Sequence, residues 1–299
     1  MTFRPAYLEL RRSELDDRID GLYGILEDCH LCPRECGVNR LQGETGYCKS
    51  GKELVISSIG PHYGEEPPLV GAHGSGTVFL TGCNLGCIYC QNYEISHLRL
   101  GSPMSTDELA TGMIHLQNYG CHNINFVTPT HFVPQLTESI RIASERGLDI
   151  PLVYNCGGYE SVETLKLLDG IVDIYMPDMK YSDSFNAKKY SNAPDYFEVC
   201  CEAVKEMHHQ VGDLKIEGGI ALRGLIIRHL VLPNDVAGSE KTLKFIADEI
   251  SKDSYVNIMN QYRPMYQACE YDELNRRPEW SEYRRVIEMA REFGLHRGF

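Results

Sequence analysis

The sequence predicts an α/β fold, a partial (βα)6 barrel of the TIM type behind a cysteine-rich N-terminal extension, and three observations carry that prediction. After Gly76, six short β-branched or apolar runs alternate with helical stretches, the signature of βα units and a parallel sheet. Residues 1–75 lack this alternation and carry charge, cysteine and Gly/Pro punctuation instead. A chain of 299 residues with 42% hydrophobic and 24% charged residues suits one large globular domain, here residues 76–299, with 1–75 as the extension.

The extension opens on a charged helix near Ser13 to Glu27, continues into a cysteine-rich loop, and ends in segments such as Ile59-Gly-Pro-His-Tyr-Gly-Glu-Glu-Pro-Pro68. It offers no second hydrophobic core. The expected strands are Thr77–Thr81, Asn123–Val127, Pro151–Tyr154, Val172–Met176, Leu225–Val231 and Tyr255–Met259. Helices are expected at about Ser105–Gly120, Phe132–Arg146, Ser161–Leu168, Ala193–His208, Glu240–Ile250 and Ser281–Phe293. Six such units curl into a partial barrel more readily than into a flat sheet, and periodicity alone does not decide between them. In barrels of this kind the chemistry gathers at the carboxyl ends of the strands.

The net charge of −13, from 42 acids against 29 bases, argues against nucleic acid as a partner, since no Lys/Arg run is dense enough to track phosphates. No stretch of about 18 apolar residues suggests a membrane span, and the N-terminus lacks a signal-peptide core, so a cytoplasmic location is expected. Twelve cysteines in such a chain read as metal ligands rather than disulfides, because the cytosol keeps thiols reduced. Seven of them fall into two tight groups.

The first expected strand runs straight into Gly82-Cys83-Asn84-Leu85-Gly86-Cys87-Ile88-Tyr89-Cys90-Gln91-Asn92. Three thiolates on one loop can each take an iron of a cubane cluster, leaving the fourth iron open for a substrate or cofactor. Structural zinc wants four closed ligands, and only His97 lies close by in sequence. The other group, Cys29, Cys32, Cys36 and Cys48, has C-x2-C-x3-C-x11-C spacing, a complete soft set for tetrahedral zinc or for a second cluster. Cys121, Cys200, Cys201 and Cys269 show no ligand spacing and read as small core residues.

The run CNLGCIYCQN resembles the CxxxCxΦC motif of the radical S-adenosylmethionine superfamily, with Tyr89 in the aromatic position. The resemblance implies a 4Fe–4S cluster on Cys83, Cys87 and Cys90, the catalytic set, whose open iron is chelated by the amino and carboxylate groups of S-adenosylmethionine. It implies reductive cleavage to a 5′-deoxyadenosyl radical that abstracts hydrogen, with Tyr89 against the adenine. Met176-Pro177-Asp178-Met179-Lys180 narrows the likeness to pyruvate formate-lyase activating enzymes, and the Cys-Pro-Arg-x-Cys-Gly-Val-Asn-Arg segment resembles a branch described as similar to those activases.

From that branch come expectations for individual residues. Asn155, Cys156, Met176 and Asp178 fall where relatives bind a monovalent cation, although Asn-Cys replaces an Asp-Thr pair. Asn155, Asp178, Lys180 and Arg228 are implied cofactor contacts, and Thr130, with His131, occupies the place of a glycine-rich motif that binds the cofactor's amino group. Gln261 and Tyr262 fall near a position lining the active site. His229, beside Arg228 on one strand, should face the other way and be packed. A protein substrate of the glycyl radical enzyme kind and a flavodoxin or ferredoxin-type electron donor are implied partners. A small-metabolite substrate stays open, as does a different class, an electron-transfer or scaffold protein.

Overall fold

The computed structural model of the chain describes residues 3–299. Its strands are β1 (Val55–His62), β2 (Ser75–Leu80), β3 (Ser102–Pro103), β4 (Ile124–Val127), β5 (Leu152–Cys156), β6 (Ile174–Pro177), β7 (Lys215–Glu217), β8 (Ile220–Leu230) and β9 (Tyr255–Met259). The sheet is mixed. Its spatial order is β3-β1-β2-β4-β5-β6-β8, with both β7 and β9 pairing with β8. The six strands β2, β4, β5, β6, β8 and β9 are parallel neighbours in that order, and β1, β3 and β7 add antiparallel edges.

All six expected strands are present within a few residues of their expected limits, and Tyr255–Met259 coincides at both ends. Each of the seven expected helices has a counterpart too. Ser105 caps Thr106–Tyr119 through a reciprocal bond with Glu108, and Gly120 at φ 103° ends that helix in the left-handed region. The helix expected over Glu240–Ile250 is two pieces, Ser239–Phe245 and a wider π turn over Ile246–Ile250.

The sequence reading missed β1 because Gly60 and Pro61 interrupt it. On its far side β1 meets only the two-residue β3, so proline's missing N–H costs no ladder bond there. Cys269, expected in the core, is exposed.

Period-two alternation sorts the parallel strands into two faces. Ile124, Phe126, Leu152, Tyr154, Tyr175, Leu225 and Ile227 join the main core. Val153, Ile174, Met176 and Ile226 point the opposite way, where Leu69 of the short helix Pro67–Val70 packs among them. Two residues further along each strand, that inner face presents Asn155, Asp178 and Arg228. The inner face is therefore apolar at its base and polar at the carboxyl ends.

Tyr7, Leu15, Leu22, Leu26 and Leu31 belong to the same core as the parallel strands. Buried Asp173 fastens the N-terminal segment, accepting the Ala6 N–H at 2.8 Å and the Leu152 N–H at 3.0 Å. Replacing it leaves two buried donors without an acceptor, at about 1–3 kcal/mol each. Asp173→Ala should lower the unfolding free energy by about 2 kcal/mol or more in a denaturant titration. A loss under about 0.5 kcal/mol would mean that the segment is held by packing alone.

Candidate active site

The loop after β2 needs two left-handed turns, and glycine supplies both, at Gly82 (φ 80°) and Gly86 (φ 67°). Gly82 also lies so close to Cys48 that an added Cβ would stand 2.9 Å from its carbonyl oxygen. The loop sets its three thiols along one wall of a cleft of about 200 Å3. Each thiol has a polar neighbour: the Leu85 N–H donates to Cys83 Sγ at 3.3 Å, the Ser191 hydroxyl to Cys87 Sγ at 3.1 Å, and the Ser96 hydroxyl to Cys90 Sγ at 3.2 Å. Such donors tune the potential of a thiolate-bound cluster. Neither serine was legible in the sequence, because each lies off the motif and Ser191 is 104 positions from Cys87.

Burial pushes the Cys83 thiol up to about 12, with the neighbouring Cys87 adding to the shift. Burial raises Cys87 as well, and the Lys180 ammonium opposes it. Thiolates bind metal and thiols do not, so a site that holds its cysteines this dry requires positive charge at the sulfurs. An iron–sulfur core supplies it. The donor set therefore fits such a cluster.

Across the cleft stand the strand ends. Arg228 Nε donates to Asp178 Oδ1 at 2.7 Å, and Arg228 Nη2 donates to Asn155 Oδ1 at 2.7 Å. Lys180 Nζ donates to Asp178 Oδ2, and Glu66 lies 3.8 Å from Arg228 Nη1. Burial alone would raise the Asp178 carboxyl, but Arg228 and Lys180 outweigh it and hold its pKa below the ordinary range. Burial acts to lower Lys180 and Arg228, and it is outweighed by Asp178 together with Cys87 at Lys180 and with Glu66 and Glu65 at Arg228, so both stay protonated.

Tyr89, 4% exposed, lines the same cleft, edge-on to Tyr181 and Tyr262. Gln91 and Gln261 meet at the rim, where the Gln91 amide donates to the Gln261 carbonyl at 3.1 Å. Tyr262 is buried behind them, its hydroxyl bound to the Leu274 carbonyl. His229 is buried facing the other way, held between the Met179 carbonyl and the Ser239 hydroxyl.

Three expected roles meet a different geometry. Met176 packs into the apolar base beneath Asp178, away from the cleft. The side-chain oxygens of Asn155 and Asp178, expected beside Cys156 as cation ligands, each accept a hydrogen bond from Arg228 or Lys180. Thr130 turns from the cleft and donates to Glu160 Oε1 at 2.7 Å, while Tyr154 donates to Oε2 at 2.9 Å. Thr128 lines the cleft instead. It sits at φ 60°, a strained conformation for a β-branched residue and one that concentrates at functional sites. Its signal in the sequence was its place at the end of a strand, ahead of Pro129.

The other four cysteines, Cys29, Cys32, Cys36 and Cys48, line one small cavity together with Arg34, Arg40, Tyr47 and His131. Burial pushes the Cys32 thiol up to about 12. Among the described residues, no three His, Cys, Asp or Glu side chains converge as they would on a single metal ion. All twelve cysteines are free thiols. Among the described residues, no helix is long and apolar enough to cross a membrane.

Three thiols on the first βα loop, facing a buried ion network at the ends of parallel strands, define a metallocofactor site of an α/β protein. The sequence profile of the radical SAM superfamily matches residues 77–216, which span that loop and the next three parallel strands. Two uncharacterized proteins of Methanocaldococcus jannaschii are similar along most of the chain. One is 34% identical over 291 residues, covering 94% of this chain and 79% of the relative. The second is 26% identical over 294 residues, covering 90% and 78%. The chain belongs to the radical SAM superfamily, and that membership implies a 4Fe–4S cluster and S-adenosylmethionine as its cofactors.

Glu160 offers a pH test of this architecture. Burial raises its carboxyl to about 7 from the ordinary 4.5. A carboxyl raised on folding stabilises the fold in its protonated form, so the contribution is complete below pH 4.5 and is lost as pH rises through about 7. Unfolding free energy should fall across that window, and Glu160→Gln should flatten the fall. A variant with the wild-type slope would place the titration elsewhere.

Proposed function

We propose that this chain generates its radical in the cleft below Cys83, Cys87 and Cys90 and delivers it to a protein substrate, as activating enzymes of glycyl radical enzymes do. One observation carries the reading: the three thiols and the Asp178–Lys180–Arg228 network face the same cleft. When bound there, the 4Fe–4S cluster and S-adenosylmethionine supply one-electron cleavage of the sulfonium to a 5′-deoxyadenosyl radical.

The chain's own residues hold and orient. Three thiolates around a dicationic core leave one net negative charge. Lys180 and Arg228, whose carboxylate partners are Asp178 and Glu66, are the cations on the opposite wall. Asn155 and Arg228 offer polar groups for the cofactor's carboxylate end. Leu80, Leu85, Val127 and Tyr89 keep water from the reacting centre. The six parallel strands are read as a partial barrel around this cleft, fed by a flavodoxin or ferredoxin-type donor. The four-cysteine cavity is a metal centre of its own, zinc or a second cluster.

A protein substrate is favoured by the segment leaving the loop. Ile95 and Ser96 line the cleft, and just beyond them Leu98 and Leu100 are 56% and 57% exposed. On this reading the two exposed leucines on the segment leaving the loop meet the protein partner.

Anaerobically reconstituted protein given S-adenosylmethionine and dithionite should form 5′-deoxyadenosine, and an intact cluster that forms none would refute the radical reading. With deuterated host-cell fractions, label should pass from protein into 5′-deoxyadenosine, and a Leu98→Asp/Leu100→Asp variant should lose that transfer while still cleaving the cofactor. Label drawn only from the small-molecule fraction would overturn the protein substrate.

A further inference from the structure

Two arginines stand inside the four-cysteine group without a carboxylate. Arg40, 1% exposed, donates to the Gly51 carbonyl at 3.2 and 2.7 Å and to the His131 carbonyl at 2.8 Å, and its remaining nitrogen lies 4.0 Å from Cys29 Sγ. Arg34, between Cys32 and Cys36, donates to the carbonyls of Asn84 (2.9 Å), Leu85 (3.2 Å), Ser191 (2.9 Å) and Asn192. Its guanidinium also lies 3.8 Å from the Tyr47 ring centre. Every one of these partners is a carbonyl, a thiol or a ring. A guanidinium taken out of water without an anion is costly, so buried Arg40 implies negative charge nearby, and half-buried Arg34 adds a second cation beside it.

The thiols are the only candidates within the cavity wall to carry that charge. Four thiolates around a dicationic centre bear two net negative charges, and Arg34 with Arg40 bear two positive ones. A second, independent feature points into the same place. His131 lines the cavity, its Nε2 donates to the Thr81 carbonyl at 2.7 Å, and its Nδ1 is buried with no hydrogen-bond partner. The spacing separates the candidate metals. Donors that share a cavity without converging on one point suit a cubane several atoms across better than a single ion.

We propose that Cys29, Cys32, Cys36 and Cys48 hold a second iron–sulfur cubane, closed by four thiolates and charge-matched by Arg34 and Arg40. This rests on reading the cavity as a metal centre and does not depend on S-adenosylmethionine cleavage. Its position gives it a structural consequence for the catalytic loop. Arg34 grips the carbonyls of Asn84 and Leu85 between Cys83 and Cys87, and the Tyr47 hydroxyl donates to the Leu85 carbonyl at 3.3 Å. The catalytic loop is thus built against the wall of the second centre.

The test uses the full chain with Cys83, Cys87 and Cys90 all changed to alanine, which removes the catalytic thiols. After anaerobic reconstitution it should retain about four iron and four sulfide per chain, and further change of Cys36 and Cys48 to alanine should abolish them. Zinc in place of iron, or no metal, would overturn the proposal. Arg40→Gln in the retained-cluster background should shift the midpoint potential to more negative values, because removing a nearby positive charge disfavours the reduced, more anionic state. Arg40→Lys should keep the wild-type potential and iron content. If the lysine variant behaves as the glutamine variant does, or neither moves the potential, charge matching is wrong.

Discussion

The Asp178–Arg228 contact is the constraint on which the site depends. β6 and β8 pair through two residues each, Ile174 and Tyr175 against Gly224 and Leu225, and meet again in the same register at Asp178 and Arg228, where the Met179 N–H donates to the Arg228 carbonyl at 2.8 Å. At that bridge the Asp178 and Arg228 side chains bond each other, and Arg228 reaches on to Asn155 of β5. One guanidinium thus ties three strand ends together on the face that meets the cysteine loop. Removing one member of such a buried pair strands the other and costs about 3–5 kcal/mol. The network also bears on the expected cation ligands: the side-chain oxygens of Asn155 and Asp178 each accept a bond from Arg228 or Lys180.

The two cysteine groups are neighbours in space although 35 residues separate Cys48 from Cys83. Gly82 rests on the Cys48 carbonyl, His131 stands between the groups, and Arg34 and Tyr47 bond the loop backbone. The segment before β1 is therefore part of the wall of the catalytic loop. Its own core residues merge with those of the sheet, so folding of the first group and shaping of the second are one packing problem.

What the sequence made legible follows from which signals are local. The triplet, the six parallel strands and the Asp178–Lys180 spacing are short-range patterns, and alternation along a strand was enough to turn Arg228 inward and His229 outward. Thr130 failed because its orientation is set by Glu160, thirty positions away, and by a strained backbone at Thr128 that no spacing announces. Met176 failed because it shares the inner face with Asp178 but lies two residues deeper, where Leu69 from a distant helix closes the apolar base over it. Arg34 and Ser191 were invisible for the same reason. Their partners are backbone carbonyls and a thiol far along the chain.

The most direct measurement is electron–nuclear double resonance on the reduced protein, with S-adenosylmethionine carrying nitrogen-15 in its amino group and oxygen-17 in its carboxylate. If Cys83, Cys87 and Cys90 hold a cluster whose fourth iron opens onto the cleft with Asn155, Asp178 and Arg228, both labels will couple to the cluster spin. An intact reduced cluster that couples to neither label would contradict the account.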